Sequence, residues 1–259
     1  MELTGKRIII TGGASGIAAS AVRGLVAGGA RVASIDVATD AGAQVVATAN
    51  AAGGAGLATF HTASVVDRPG FFAAVDAAVQ VMGGLDGLIH AAGVQQYKPA
   101  EDLDDDDWDR VMGINARGTM IANQAVFPHL KANGGGRIVN FASAAGLVGL
   151  PGAPHYSASK GAVLGWTRAL AQAWAQHGIT VNAVAPAMWT AMYDATRGRL
   201  SPDELVAHDA MMARAIPLGG RLGDPDIDMT PVLAFLVGDG ARFITGQTLP
   251  VDGGTAMTR

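Results

Sequence analysis

The sequence predicts an α/β fold: a doubly wound sheet of seven mainly parallel strands with helices on both faces. Three observations predict it. Short apolar runs alternate with longer, alanine-rich helical stretches along the chain. The runs are apolar throughout instead of alternating with polar residues, as strands buried on both faces require. The segments between them carry glycine and polar residues, which mark turns and close backbone approaches.

In chain order, Arg7–Ile10 reads as a strand and Gly16–Gly28 as the helix that follows it. Arg31–Ile35 is a strand before a helix within Asp40–Ala52, and Gly56–Thr62 a strand before a helix over Pro69–Met82. Leu85–His90 is a strand, and Asp104–Leu130 reads as one long helix. Its start holds the only run of charge, Asp104-Asp105-Asp106-Asp107, where carboxylates complement the helix dipole. Arg137–Phe141 is a strand, Tyr156–His177 a helix and Ile179–Ala185 a strand. A helix within Asp226–Leu236 precedes a final strand at Thr248–Val251. Right-handed crossovers between such strands build an open sheet. No segment has linker composition, so residues 1–259 are expected to form one domain.

Composition removes several function classes. The chain is 49% hydrophobic and 15% charged, ample for a buried core. A net charge of −4 without a basic cluster leaves no electrostatic footprint for nucleic acid. With no cysteine, disulfides, thiolate metal sites and cysteine nucleophiles are excluded. The six histidines are dispersed and none pairs at i, i+4, so no metal is expected. The first residues lack the apolar stretch of a signal peptide, and no apolar run is long enough to span a bilayer. A cytoplasmic location is the expectation.

Candidate chemistry begins with Tyr156 and Lys160. A spacing of four on a helix puts the phenol and the ammonium on one face. A cation beside a phenol favours the phenolate and is expected to lower the tyrosine pKa from about 10. A tyrosine so tuned can take a proton from an alcohol or return one to a ketone.

The loop Thr11-Gly12-Gly13-Ala14-Ser15-Gly16-Ile17-Ala18 follows the first strand and opens the first helix. That context suits a pyrophosphate on a helix amino terminus, the Rossmann arrangement. Asp36 closes the second strand twenty residues after Gly16, where a carboxylate can bond both ribose hydroxyls. It would repel a 2′-phosphate, and Ser15 and Val37 supply no basic residue in compensation. NAD(H) is therefore expected over NADP(H).

With these motifs in order, the chain resembles the short-chain dehydrogenase/reductase family in its compact form, from about Leu3 to Gly254. Besides the loop and Asp36, the resemblance rests on His90-Ala91-Ala92-Gly93-Val94, Asn115, Ser143, Tyr156-x-x-x-Lys160, Pro186 and the segment Ile244–Gly254. It implies that Tyr156 is the acid/base, that Lys160 lowers its pKa and binds the nicotinamide ribose, and that Ser143 orients the substrate oxygen. It also implies that Asn115 holds a water in a proton relay to Lys160. Gly12, Ser15, Gly16, Ile17, Asp36, Ala92, Gly93, Pro186 and Thr190 match cofactor-binding positions, and a homotetramer is implied.

Several positions depart from the family pattern. Ala18 replaces the last glycine of the loop. His90-Ala91 stands in place of two asparagines, and His90 is expected to be a hydrogen-bonded buried residue. Ser64 replaces an aspartate near the adenine, which leaves that contact to Val65 and backbone groups. Ala187 follows Pro186 in place of glycine, and Thr190 lies one residue closer than usual.

The implied reaction is interconversion of a secondary alcohol and a ketone. Substrate identity is expected to lie in a helical lid at about 187–217, rich in Met188, Trp189, Met192, Tyr193, Met211 and Met212. That apolar stripe either roofs the pocket or packs the lid onto the core. Gln95, Leu150 and His155 are candidate pocket walls. Two alternatives remain: an NADPH-dependent reductase of 3-oxoacyl thioesters, against which Asp36 argues, and a non-catalytic NAD-binding sensor, against which the intact Ser143, Tyr156 and Lys160 argue.

Overall fold

Apolar residues on successive strand positions face opposite ways, and here both directions are filled. In the computed structural model, which describes residues 3–256, β1 (Arg7–Thr11) sends Ile8 and Ile10 to one core and Ile9 to another. The strands β2 (Arg31–Asp36), β3 (Leu57–Thr62), β4 (Gly87–His90), β5 (Gly136–Phe141), β6 (Ile179–Pro186) and β7 (Thr248–Val251) complete one sheet in the order β3-β2-β1-β4-β5-β6-β7. All six pairings are parallel, so the expected "mainly parallel" sheet is wholly so.

One face is covered by α1 (Gly16–Ala27), α2 (Thr39–Ala51) and α10 (Thr230–Val237), with Val22, Leu25 and Leu233 in its core. The other is covered by α3 (Arg68–Met82), α5 (Gly118–Ala132) and α7 (Pro154–Trp174), where Phe71 is wholly enclosed beside Val75 and Ile121. Emptying the Phe71 site would cost about 3–5 kcal/mol. The strand order reverses between β1 and β4, which opens a crevice beyond their carboxyl ends.

Two expectations need correction. The predicted helix Asp104–Leu130 is not continuous: α4 (Asp105–Met112) passes through a π turn at Gly113–Arg117 before α5 begins. β4 begins at Gly87 instead of Leu85, because the Asp86 carboxylate is spent on the guanidinium (2.8 Å) and backbone (2.9 Å) of Arg7. The acidic run does start a helix: Asp104 caps α4 by accepting from the Asp107 backbone at 2.8 Å, and Asp107 pairs with Lys98. The segment expected to form a lid contains α8 (Ala191–Arg197) and α9 (Pro202–Ala215), and a five-residue helix, α6 (Ala144–Val148), follows β5.

Candidate active site

The carboxyl ends of β1, β4, β5 and β6 deliver the predicted residues to one crevice. Gly12 continues β1 at φ +74°, and a Cβ there would lie 2.9 Å from the Ala92 backbone nitrogen. Glycine is thus required both for the turn and for the approach of the two loops. Gly16 opens α1 at φ +55°, with the Thr190 methyl 3.9 Å from where its Cβ would stand. Thr190 therefore reaches the glycine loop, while its hydroxyl accepts from the Tyr193 backbone at 3.4 Å. Ser15 is the exposed residue ahead of α1, and its side chain makes no capping bond.

At the end of β2, the Asp36 carboxylate accepts from the Ala14 backbone at 3.1 Å and from Ala38 at 2.9 Å. It is thereby fixed beside the loop, with part of its surface open. The Ser64 hydroxyl accepts from the Val66 backbone at 3.4 Å. Val65 is buried, its side chain packed against Gly118.

Asn115 lies within the π turn, a geometry frequent at functional sites. Both of its amide hydrogens are spent, on the Val94 carbonyl (2.9 Å) and the Ser159 hydroxyl (3.0 Å). Its Oδ1 accepts from the Val94 backbone at 2.8 Å. The side chain clamps the segment after β4, and its unspent capacity is the second lone pair of Oδ1. Gly93 stands between this oxygen and Lys160: a Cβ there would be 3.1 Å from Asn115 Oδ1 and 3.5 Å from Lys160 Nζ.

Ser143 lies two residues beyond β5 and caps α6, its Oγ accepting from the Ala145 backbone at 3.1 Å. α6 lies close on α7 because residue 146 is glycine; a Cβ there would meet the Lys160 carbonyl carbon at 2.7 Å. Tyr156 and Lys160 share a face of α7, with the Lys160 ammonium 5.8 Å from the phenol ring centre. The ammonium donates to the Phe141 carbonyl at 2.7 Å.

The electrostatics differ from the sequence expectation. Burial pushes the Tyr156 phenol above its ordinary value, Ser143 opposes that rise, and the neighbouring Tyr97 phenol adds to it. Burial also pushes Lys160 down to about 8. The expected lowering of the tyrosine is thus not seen: desolvation wins, and the ammonium bonds a backbone carbonyl instead of the phenolic oxygen.

The candidate substrate residues divide. Gln95 and Leu150 are half-buried, and Trp189 is 40% exposed between β6 and α8. His155 must be corrected: it is completely buried, so its side chain forms no part of a pocket surface. Met188 is likewise enclosed in the core. The Met192 side chain lies outside the described residues. The sequence reading missed Tyr97, 65% exposed with its ring 3.6 Å from where a Gly152 Cβ would be. An aromatic residue three positions after Val94, on the loop that leaves β4, was the available signal.

A family profile described as "short chain dehydrogenase" matches residues 6–199. The chain belongs to the short-chain dehydrogenase family. It is 35% identical over 253 residues to 2-(S)-hydroxypropyl-CoM dehydrogenase 3 of Xanthobacter autotrophicus, with 98% of this chain and 97% of that one covered. It is 36% identical over 258 residues to D-threitol dehydrogenase of Mycolicibacterium smegmatis, with coverage of 98% and 94%. A crystal structure of a putative short-chain alcohol dehydrogenase from Sinorhizobium meliloti superposes with a TM-score of 0.89 at 35% identity, covering 98% and 97% of the two chains.

Members of this family are oxidoreductases that use a nicotinamide cofactor, NAD or NADP. The residues of this short-chain dehydrogenase fit such a group: a glycine cradle that a Cβ would fill, a helix amino terminus above it and a fixed carboxylate at the strand end. Among the described residues no group of three or more His, Cys, Asp or Glu could hold a metal ion. No described helix is long and apolar enough to cross a membrane.

Proposed function

We propose that the protein is an NAD(H)-dependent dehydrogenase that interconverts a secondary alcohol and a ketone. The observation that carries this reading is the convergence of Ser143, Tyr156 and Lys160 at the mouth of the crevice, with the phenol beside the Ser143 hydroxyl and the ammonium buried behind it. The relatives' names support the substrate class, since a 2-hydroxypropyl group and threitol both carry secondary hydroxyls.

The bound nicotinamide supplies the hydride chemistry. Gly12, Gly16 and the α1 amino terminus receive its pyrophosphate, and Asp36 accepts from the adenosine ribose hydroxyls. Lys160 binds the second ribose. Ser143 donates to the substrate oxygen and fixes it near Tyr156. In oxidation the Tyr156 phenolate takes the hydroxyl proton as the carbon loses hydride; in reduction the phenol returns it. Asp36 favours NAD over NADP because a carboxylate at that ribose repels a 2′-phosphate.

Two measurements test the reading. A screen of NAD reduction across secondary alcohols, polyols and hydroxysteroids should find turnover, with kcat/KM higher for NAD than for NADP. Tyr156→Phe should retain NAD binding and lose about 10²–10⁴-fold in kcat; near-normal turnover in that variant would remove Tyr156 from the reaction.

A further inference from the structure

His90 is completely buried at the end of β4, one strand from the glycine loop and one from Ser143. Register places it level with Thr11 of β1 on one side and Asn140 of β5 on the other. Its Nδ1 lies 2.8 Å from the Thr11 hydroxyl, which also accepts from the Ala92 backbone at 3.2 Å. Its Nε2 has no hydrogen-bond partner among the described residues. With Nδ1 turned to β1, Nε2 lies on the ring edge away from Thr11, and the Lys160 ammonium, held on the Phe141 carbonyl one residue beyond Asn140, is close enough for its charge to act on the imidazole.

Each tautomer of a neutral His90 leaves one hydrogen unspent. If the Thr11 hydroxyl donates to Nδ1, a buried Nε2–H is left unpaired in the field of the ammonium. If Nδ1–H donates to Thr11, the hydroxyl hydrogen is left over and Nε2 presents a lone pair. The two losses are similar in size, so the nearby charge decides, and a cation rewards the lone pair.

We propose that His90 is a positioning residue for Lys160: its Nδ1–H is held by Thr11, and its Nε2 lone pair faces the buried ammonium and helps keep it charged. Lys160 needs such help. Of its three hydrogens one goes to the Phe141 carbonyl and one to the ribose of the proposed reaction, which leaves a third to place. A buried cation is costly unless acceptors surround it. Burial and the Lys160 charge together push His90 down to about 3 and keep it neutral. Tyr156, on the same helix, is the other titratable group beside Lys160. No carboxylate contributes to the shift of any of the three.

The inference rests on the reading of Lys160 as the partner of Tyr156, but its test needs no substrate. Long-range proton–nitrogen NMR spectra of the protein at neutral pH should show His90 protonated on Nδ1 and bare on Nε2. An Nε2–H pattern overturns the proposal. Titration of the Lys160 ε-methylene by carbon NMR should show its pKa falling by about 0.5–1 unit in His90→Leu, with most of the shift recovered in His90→Asn, whose carbonyl restores an acceptor. An unmoved Lys160 titration in His90→Leu also overturns it. If that variant does not fold, the tautomer in the unaltered protein decides alone. Loss of the alcohol-oxidation reading, shown by active Tyr156→Phe, alters neither measurement.

Discussion

Lys160 donates to the carbonyl of Phe141 at 2.7 Å while its ammonium stands 5.8 Å from the ring centre of Tyr156. The cation is therefore anchored to β5. Burial raises Tyr156 and lowers Lys160 to about 8. A consequence for pH follows from the signs. Oxidation needs the phenolate, so its kcat/KM should climb through the alkaline range as the raised phenol pKa is approached. Reduction needs the phenol and should hold at neutral pH and fall where oxidation climbs. Steady-state profiles in both directions check this, and an acidic optimum for oxidation would contradict it.

The glycine at position 12 is asked for two things at once. Gly12 and Gly53 share nearly the same backbone angle, φ +74° and +77°, but a Cβ at 12 would press on the Ala92 backbone while one at 53 would meet nothing within 4 Å. Gly53→Ala should therefore cost only the left-handed penalty, about 1 kcal/mol. Gly12→Ala should cost more in stability and also raise the dissociation constant for NAD, because the two loops must part. Denaturant melts of both variants with calorimetric NAD titrations provide the comparison; equal behaviour would show that the loop contact is soft.

Much of this was legible in the sequence because the informative residues sit at strand ends. Parallel strands put consecutive carboxyl ends on one edge, so Gly12, Asp36, Gly93, Ser143 and Pro186 become neighbours once the βα alternation is read. The π turn was not legible. Nothing in Gly113-Ile114-Asn115-Ala116-Arg117 distinguishes a π turn from an α-helical one, and the Val94 and Ser159 contacts that accompany it lie 21 and 44 residues away. His155 was misread for a related reason. Adjacency to Tyr156 in sequence places it about 100° round the helix, toward the core. The tyrosine pKa was misjudged because spacing shows that a cation is near but not how much water burial removes.

The segment expected to form a lid is held by contacts that its apolar composition did not suggest. Arg197 lies over the Trp189 and Tyr193 rings, 5.0 and 5.7 Å from their centres, and pairs with Asp209 of α9. Tyr193 Oη lies 2.7 Å from His208 Nε2, a second tie between α8 and α9. Asp209→Asn should free Arg197 and loosen Trp189, one of the candidate substrate residues. The expected result is a several-fold rise in the KM for the alcohol with little change in NAD affinity. A fall in kcat alone would place the effect elsewhere.

Cofactor choice can be redirected at the end of β2. Asp36 accepts two backbone N–H bonds, and Val37 beside it is 65% exposed with its side chain in solvent. The double variant Asp36→Ser with Val37→Arg removes the repelling charge and supplies a cation for a 2′-phosphate. Each charge-assisted bond gained or lost is worth about 1.5–3 kcal/mol, so the NAD to NADP ratio of kcat/KM should move toward NADP by about 10–100-fold. A ratio that stays put would mean that discrimination lies outside this strand end.

His90 also predicts how the fold responds to acid. Held neutral with a folded pKa of about 3 against an ordinary 6.5, it binds no proton in the native state where the unfolded chain does. Between those values the unfolded state takes up more protons, so stability falls as pH drops from 6.5 toward 3, by at most about 1.4 kcal/mol per pH unit from this residue. Above 6.5 its contribution is flat. In His90→Asn the group is gone, and the variant should lose less stability than the unaltered protein between pH 7 and pH 4, although it starts from a lower value because the Thr11 bond is disturbed. Urea unfolding at several pH values isolates the difference, since the other histidines contribute alike to both proteins. Parallel stability curves would mean that His90 is protonated within the fold, and that the burial and Lys160 charge surrounding it do not hold it neutral.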